Sequence, residues 1–250
     1  MAYFQCGGLY CLDAATGKLR WEFWTDGWAA KTPAVADGRV YSIIDKKVYC
    51  LSAAAGKKIW ETEACASNFP PAAGEGLVVI GGRGEVFCLN AQSGSILWKL
   101  NLGSWRFLPI IDKGKVYIIS RDSSVYCVDA KTGTIIRDYK IGSFMLTKPV
   151  VTGGNLYVGA DKIYCFDAAS GILKWDAPSG GTVVALQAVS GRLYLLTDDA
   201  MLYCCDTNTG SKSWQLKIPK GGTSFTVQDE TVLLSTASAK VYCFKFPDKK

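Results

Sequence analysis

Short apolar runs alternate with polar turn signals along the whole chain, and residues 32–63 hold one complete unit of this pattern. The unit contains four apolar runs, at residues 32–36, 39–44, 48–52 and 57–63. Runs of this length, joined by signals such as Asp37-Gly38, predict antiparallel strands connected by tight hairpins. A helical interpretation fails because no apolar stripe at the helical spacing survives the glycines.

Three residue types repeat this unit in one register. Six glycines are spaced 38 or 39 residues apart: Gly17, Gly56, Gly94, Gly133, Gly171 and Gly210. Seven cysteines keep step with them: Cys11, Cys50, Cys88, Cys127, Cys165, Cys204 and Cys243. Five tryptophans lie four residues after a repeat glycine, at Trp21, Trp60, Trp98, Trp175 and Trp214, and Arg137 takes the remaining position. A shared period of this length indicates a repeat architecture.

Four short strands per repeat of about 40 residues predict an all-β propeller of four-stranded antiparallel blades. We expect a single domain over residues 1–250, with five full blades at residues 32–63, 70–101, 109–140, 149–176 and 183–217. Residues 2–23 and 225–246 add three strands each, for a total of 26. Seven blades, two of them incomplete, fit this number best. Six blades closed by exchange of a terminal strand, or a piece of a larger propeller, are the alternatives.

The recurring residues have structural roles. An Asx residue begins five of the turns between third and fourth strands, where its side chain can accept hydrogen bonds from the following backbone: Asp13, Asn90, Asp129, Asp167 and Asp206. The glycine four residues later supplies a positive φ. The tryptophans fill the gaps between neighbouring blades. We expect the cysteines to be buried free thiols, because only a small side chain fits a strand covered on both faces.

Residues 9–21, LYCLDAATGKLRW, resemble the PQQ-like repeat of the quinoprotein alcohol dehydrogenase-like propellers. The same motif recurs at residues 48–60, 86–98, 163–175 and 202–214, so the resemblance covers essentially the whole chain. It implies a WD-like β-propeller. For function it implies either a quinone-dependent dehydrogenase or a cofactor-free scaffold, and this chain is closer to the scaffolds, such as the outer-membrane assembly lipoprotein.

The composition excludes the catalytic sites that depend on histidine. The chain has no histidine and no Cys-x-x-Cys, which excludes histidine-dependent nucleophiles and histidine zinc sites. Dehydrogenases of the resembling superfamily carry a vicinal disulfide against the quinone, but here Cys204 is the repeat cysteine and Cys205 takes a position usually held by Leu. We therefore assign no catalytic residue and no metal ligand, and expect no cofactor, with PQQ and calcium as the alternative.

The charge distribution and the targeting signals limit the expected partners and the expected cellular location. The net charge of +6 is dispersed rather than gathered in a basic stripe, so nucleic acid is not an expected partner. No stretch is long and apolar enough for a membrane span. Unpaired cysteines and the lack of a signal peptide predict the cytoplasm, unless the chain is a trimmed piece of an exported protein.

The best functional signal lies where the repeat breaks. We expect one rim to hold both the turns between second and third strands and the connections between blades. These segments carry basic residues and aromatic ones, the latter including Trp24, Phe69 and Phe107. The fifth connection, residues 179–182, is expected to be small and flexible. We predict a ligand- or partner-binding site formed by Trp28, Lys31, Arg83, Trp105, Arg106, Arg121, Phe144 and Lys148. The acids at these turns, such as Asp122 and Asp198, are explained by hairpin chemistry.

The sequence thus favours a non-catalytic binding or scaffold module that recognises a protein, a peptide or a small ligand at one rim. A PQQ-dependent alcohol or sugar dehydrogenase and a docking domain of a larger enzyme are the alternatives, so whether the chain is an enzyme stays open. The oligomeric state is not readable from the sequence.

Overall fold

A computed structural model of the chain describes residues 1–27, 32–64, 69–103, 107–120, 122–141, 147–228, 231–238 and 240–245. These residues form 26 strands in seven antiparallel sheets. The chain divides into two compact units, Met1–Lys140 and Ile141–Lys250. Within the described residues, no helix has the length and apolar composition needed to cross a membrane.

The first unit contains four sheets. The first sheet has three strands, β1 (Ala2–Cys6), β2 (Gly8–Leu12) and β3 (Leu19–Phe23). The second has β4 (Ala34–Ala36), β5 (Arg39–Ile44), β6 (Lys47–Ser52) and β7 (Lys58–Glu63). The third has β8 (Ala72–Gly74), β9 (Leu77–Gly81), β10 (Glu85–Asn90) and β11 (Ile96–Asn101). The fourth has β12 (Leu108–Asp112), β13 (Lys115–Ser120), β14 (Ser124–Asp129) and β15 (Ile135–Lys140).

The second unit contains three sheets. The fifth sheet has β16 (Val150–Thr152), β17 (Asn155–Gly159), β18 (Lys162–Asp167) and β19 (Leu173–Pro178). The sixth has β20 (Val183–Val189), β21 (Arg192–Thr197), β22 (Met201–Asp206) and β23 (Lys212–Lys217). The seventh has three strands, β24 (Gly222–Gln228), β25 (Thr231–Thr236) and β26 (Val241–Lys245).

Every sheet pairs its strands in chain order, as up-and-down blades require. The fold class is a seven-bladed β-propeller in which the first and last blades have three strands. Seven blades is the predicted number, and the six-blade alternative is wrong because the terminal strands form two separate sheets.

The turns between first and second strands follow the predicted hairpin chemistry. Asp37 and Gly38 both have positive φ, 49° and 69°, which is the conformation of a type I′ turn. The same two-residue turn recurs at Glu75-Gly76 and Lys113-Gly114 in the first unit and at Ser190-Gly191 in the second. Its twist matches that of the flanking strands, so the sequence fixes the register at this end of each blade.

The core lies between consecutive blades. Tyr41 and Cys50 of the second blade pack against Val78 and Leu89 of the third, and all four are inaccessible to water. Blades stacked in this way bury both faces of their second and third strands, which explains the continuous apolar runs in the sequence.

Six repeat cysteines are buried, but Cys243 is exposed. The expectation that all seven are buried is therefore wrong at the last blade. There β26 has no fourth strand beside it in the described structure, and Leu233, the residue that pairs with Cys243, is 44% exposed. Cys204 and Cys205 are both buried, and burial raises the pKa of the Cys205 thiol to about 11.

The turn between third and fourth strands is built by the Asx residue, as predicted. The Asp129 carboxylate accepts hydrogen bonds from the backbone N–H groups of Lys131 (3.0 Å) and Thr132 (2.8 Å). Asn90 accepts the equivalent pair in the third blade, both at 2.9 Å. The bonds from Thr132 lower the pKa of Asp129 below its usual value.

This turn predicts how stability depends on pH. Because the pKa of Asp129 is lower in the folded chain than in the unfolded one, where it is about 3.9, its contribution is present above that pH and is lost as the pH falls further. Asp129→Asn keeps the acceptor, as Asn90 shows, but cannot titrate. We expect the urea midpoint of the variant to fall less between pH 7 and pH 3 than that of the wild type. Equal losses would contradict the prediction.

Candidate functional site

In each blade, the turn between second and third strands and the connection to the next blade lie at the same end of the sheet. In the first unit, the Leu102 N–H donates to the Gly84 carbonyl at 2.9 Å. In the second, the Thr182 N–H donates to the Asp198 carboxylate at 2.9 Å. We call this end the rim. The sequence predicts that these segments share one end of the sheet, because consecutive antiparallel strands run in opposite directions.

The rim of the first unit exposes one aromatic ring and buries another. Trp24 is 56% exposed and packs edge-on against Tyr10, with ring centroids 5.5 Å apart. Phe107 is inaccessible to water and packs with Val79 and Val116 between the third and fourth blades. Phe107 therefore offers no exposed ring for binding: it lies directly before the first strand of its blade, which begins at Leu108, and seals the inter-blade gap.

The rim of the second unit contains a connection held by hydrogen bonds. The Ser179 hydroxyl is buried and lies 2.8 Å from the Asp161 carbonyl and 2.5 Å from the Gly181 carbonyl. The Lys212 ammonium donates to the Ser179 carbonyl at 3.3 Å and lies 4.0 Å from the centre of the Tyr203 ring. These polar contacts link the connection to the turn before β18 and to β23, and the flexibility expected of residues 179–182 stays a prediction.

Two of the eight predicted site residues lie in the described structure. Arg83 is exposed in the β9–β10 turn of the first unit. Lys148 is exposed just before β16 of the second unit, and the surrounding protein atoms desolvate its ammonium and lower its pKa. Neither makes an ion pair with another described residue. The other six lie outside the described residues: Trp28, Lys31, Trp105, Arg106, Arg121 and Phe144.

The acidic residues of the rim turns are engaged locally. The Asp122 carboxylate accepts hydrogen bonds from the Tyr126 hydroxyl (2.6 Å) and the Ser124 N–H (3.2 Å). Although burial opposes it, these bonds lower the pKa of Asp122. The Asp199 carboxylate accepts from the Thr197 hydroxyl at 2.5 Å. Across the part of the chain that the structure describes, no three acidic or cysteine side chains converge as a metal site requires.

The structure shows what the repeat tryptophans contact in the inter-blade gaps predicted for them: in the first three blades, each indole covers a glycine of the next blade. A Cβ placed on Gly56 would lie 2.6 Å from the Trp21 indole, so the glycine is required by the ring as well as by its φ of 67°. The Trp21 indole N–H donates to the Ala53 carbonyl at 2.9 Å. The same arrangement joins Trp60 to Gly94 and Ala91, and Trp98 to Gly133 and Ala130.

We call this arrangement the docking contact. Its signal in the sequence is an interval of 34 or 35 residues between a repeat tryptophan and the glycine of the next blade, which is 35 for Trp21 and Gly56 and 34 for Trp60 and Gly94. Period alone does not say which faces touch, so only the structure identifies the pair.

The comparisons with known proteins agree with this architecture. The sequence profile of the family described as outer membrane protein assembly factor BamB matches residues 5–64, 44–137 and 140–246. No curated protein matches the sequence. Solved structures with the same fold include BamB from Moraxella catarrhalis, at 17% identity and a TM-score of 0.77, covering 98% of this chain and 87% of that one.

Two other structures show how widely the fold is shared. The computationally designed Ika8 protein has 17% identity and a TM-score of 0.83, covering 96% of this chain and 78% of its own. A chain of the mitotic checkpoint complex has 12% identity and a TM-score of 0.81, and the match covers 98% of this chain and 83% of that one. At such identities the likeness shows the fold alone.

Proposed function

Because the chain belongs to the family of the outer membrane protein assembly factor BamB, we propose that it is a non-catalytic interaction scaffold whose rim binds a protein or peptide partner. One observation carries this proposal. The repeat tryptophans are used in packing between blades, whereas the residues that break the repeat, including Trp24, Arg83 and Lys148, are exposed at the rim.

The charges at the rim favour a partner with acidic groups. Arg83 and Lys148 are exposed cations without an ion pair among the described residues. A partner with carboxylates can pair with either side chain through complementary charge. Exposed aromatic rings such as Trp24 add contact area at little cost in conformational entropy.

The proposal predicts that binding is confined to the rim. With a photo-crosslinking amino acid at position 83 of the full chain, we expect one discrete protein product in extracts of the source cells. The same group at Lys131, an exposed residue of the fourth blade in the turn at the end opposite the rim, should give none. A separate protein with the crosslinking group at position 148 tests the rim of the second unit, and we expect a discrete product there as well.

Two results would contradict the proposal. One is equal crosslinking from positions 83 and 131. The other is dye-linked oxidation of an alcohol or sugar when PQQ and calcium are added, since this would favour the dehydrogenase class. The absence of a cofactor and the cytoplasmic location expected from the free cysteines stay predictions.

A further inference from the structure

In one inter-blade gap of the first unit, a carboxylate links two turns at the end opposite the rim. Between the third and fourth blades, the Glu75 carboxylate accepts hydrogen bonds from the backbone N–H groups of Lys113 (2.7 Å) and Gly114 (2.8 Å). These donors form the β12–β13 turn and have positive φ, 48° and 71°. Successive backbone N–H groups in such a turn form an anion-binding concavity. This gap therefore shows that the turn binds a carboxylate.

The equivalent turn of the third blade has the same shape but no such link. Glu75 and Gly76 form it, with φ values of 53° and 74°. The residue of the second blade that corresponds to Glu75 is Asp37, whose side chain is shorter by one methylene group. Within the described residues, the N–H groups of Glu75 and Gly76 donate to no acceptor, and the Asp37 carboxylate accepts no hydrogen bond.

A cavity of about 270 Å³ lies between the second and third blades, where the missing link would be. Both blades belong to the first unit. The residues that line the cavity include Asp37, Arg39, Tyr41 and Gly76. We call it the inter-blade cavity. Sites for drug-sized ligands usually measure about 300–1,000 Å³, so this one suits a smaller molecule.

Arg39 gives the inter-blade cavity a cation with a fixed direction. Its guanidinium donates to the Ala91 carbonyl at 2.7 Å and to the Gln92 carbonyl at 3.1 Å, both through Nη1. A guanidinium has five N–H donors in a planar fork, so these two bonds orient it and leave donors for a carboxylate. The equivalent residue of the third blade, where Glu75 supplies the carboxylate, is Leu77.

We propose that the inter-blade cavity binds the carboxylate of a small molecule, held by the N–H groups of the Glu75-Gly76 turn and by the Arg39 guanidinium. The ligand class is inferred from the link that Glu75 makes to the equivalent turn of the next blade. Asp37 is an exposed acid on the same cavity and opposes an anion there. The site lies at the opposite end of the blades from the rim and is independent of the proposed protein partner.

The test is an NMR titration of the full chain with propionate, which reproduces the side chain of Glu75. We expect the amide signals of Glu75 and Gly76 to shift in a saturable way, with a dissociation constant on the order of 1–10 mM for so small a ligand. The amides of Lys113 and Gly114 should not shift, because Glu75 already covers them. Propionamide, the neutral analogue, should shift neither pair. No shift at Glu75 and Gly76, or equal shifts at both turns, would overturn the proposal.

Two conservative variants of Asp37 should change propionate binding in opposite directions. Asp37→Asn removes the opposing charge and should tighten binding about two- to fivefold. Asp37→Glu should weaken it at least about tenfold, because the longer carboxylate reaches the Glu75-Gly76 turn and takes the place of the ligand. Both keep the turn, since asparagine tolerates a left-handed φ and Glu75 itself has one at the equivalent position. Changes in the same direction would contradict the proposed site.

Arg39→Gln tests the guanidinium and should weaken propionate binding by about tenfold or less, through the loss of one charge contact. Unchanged binding would overturn the role of Arg39.

A capped Gly-Glu-Gly peptide separates a free carboxylic acid from a protein side chain as the source of the carboxylate. We expect it to bind no more tightly than propionate, because the cavity is small. Binding more than about tenfold tighter would make a protein side chain the ligand and overturn the small molecule. Saturating propionate should leave crosslinking from positions 83 and 148 unchanged, so this proposal and the proposed function fail independently.

Discussion

Gly94→Ala is expected to lower the free energy of unfolding by about 1–3 kcal/mol more than Gly76→Ala does. Both glycines belong to the third blade and have nearly the same positive φ, 75° and 74°. Either substitution places alanine in a left-handed conformation, which costs about 1–2 kcal/mol. Only at Gly94 does the new Cβ collide with protein, 2.6 Å from the Trp60 indole and 2.8 Å from the Thr62 hydroxyl.

Urea unfolding of the two variants isolates the collision, because the backbone strain is common to both. In a double-mutant cycle, Trp60→Ala should cost less in the Gly94→Ala background than in the wild type, since the ring that the methyl group meets is removed. If the two glycine variants lose equal stability, the glycine serves the turn alone and the docking contact does not constrain it.

Trp98→Ala is expected to cost about 3–5 kcal/mol, the usual range for removal of a buried aromatic ring. Trp98 is 8% exposed, covers Gly133 and donates its indole N–H to the buried Ala130 carbonyl at 2.9 Å. The hydrogen bond and the ring volume both contribute to this loss.

A pair of phenylalanine variants separates the two contributions. Trp98→Phe leaves the Ala130 carbonyl without its donor, whereas the buried indole N–H of Trp175 has no acceptor among the described residues. Trp175→Phe therefore removes a polar group that is not satisfied, and we expect it to cost about 1–3 kcal/mol less than Trp98→Phe. Equal losses in urea unfolding would mean that the indole hydrogen bond adds nothing to the docking contact.

The sequence reveals the proposed rim site through the residues that break the repeat. Arg83 and Lys148 are visible because the other blades have different residues at the equivalent positions. Whether a residue that keeps the repeat is covered depends on the neighbouring blade, and the repeat period does not give this.

The amino-acid sequence alone determined the strands, the hairpin turns and the Asx turns. These features depend on residues a few positions apart, such as Asp37-Gly38 or Asp129 and Thr132, so local backbone preferences specify them. The tertiary structure decided between seven blades and six, because it shows the terminal strands as two separate sheets. It also buried Phe107, exposed Cys243 and placed Trp21 on Gly56, because burial and close contact are set by segments distant in the chain that only folding brings together.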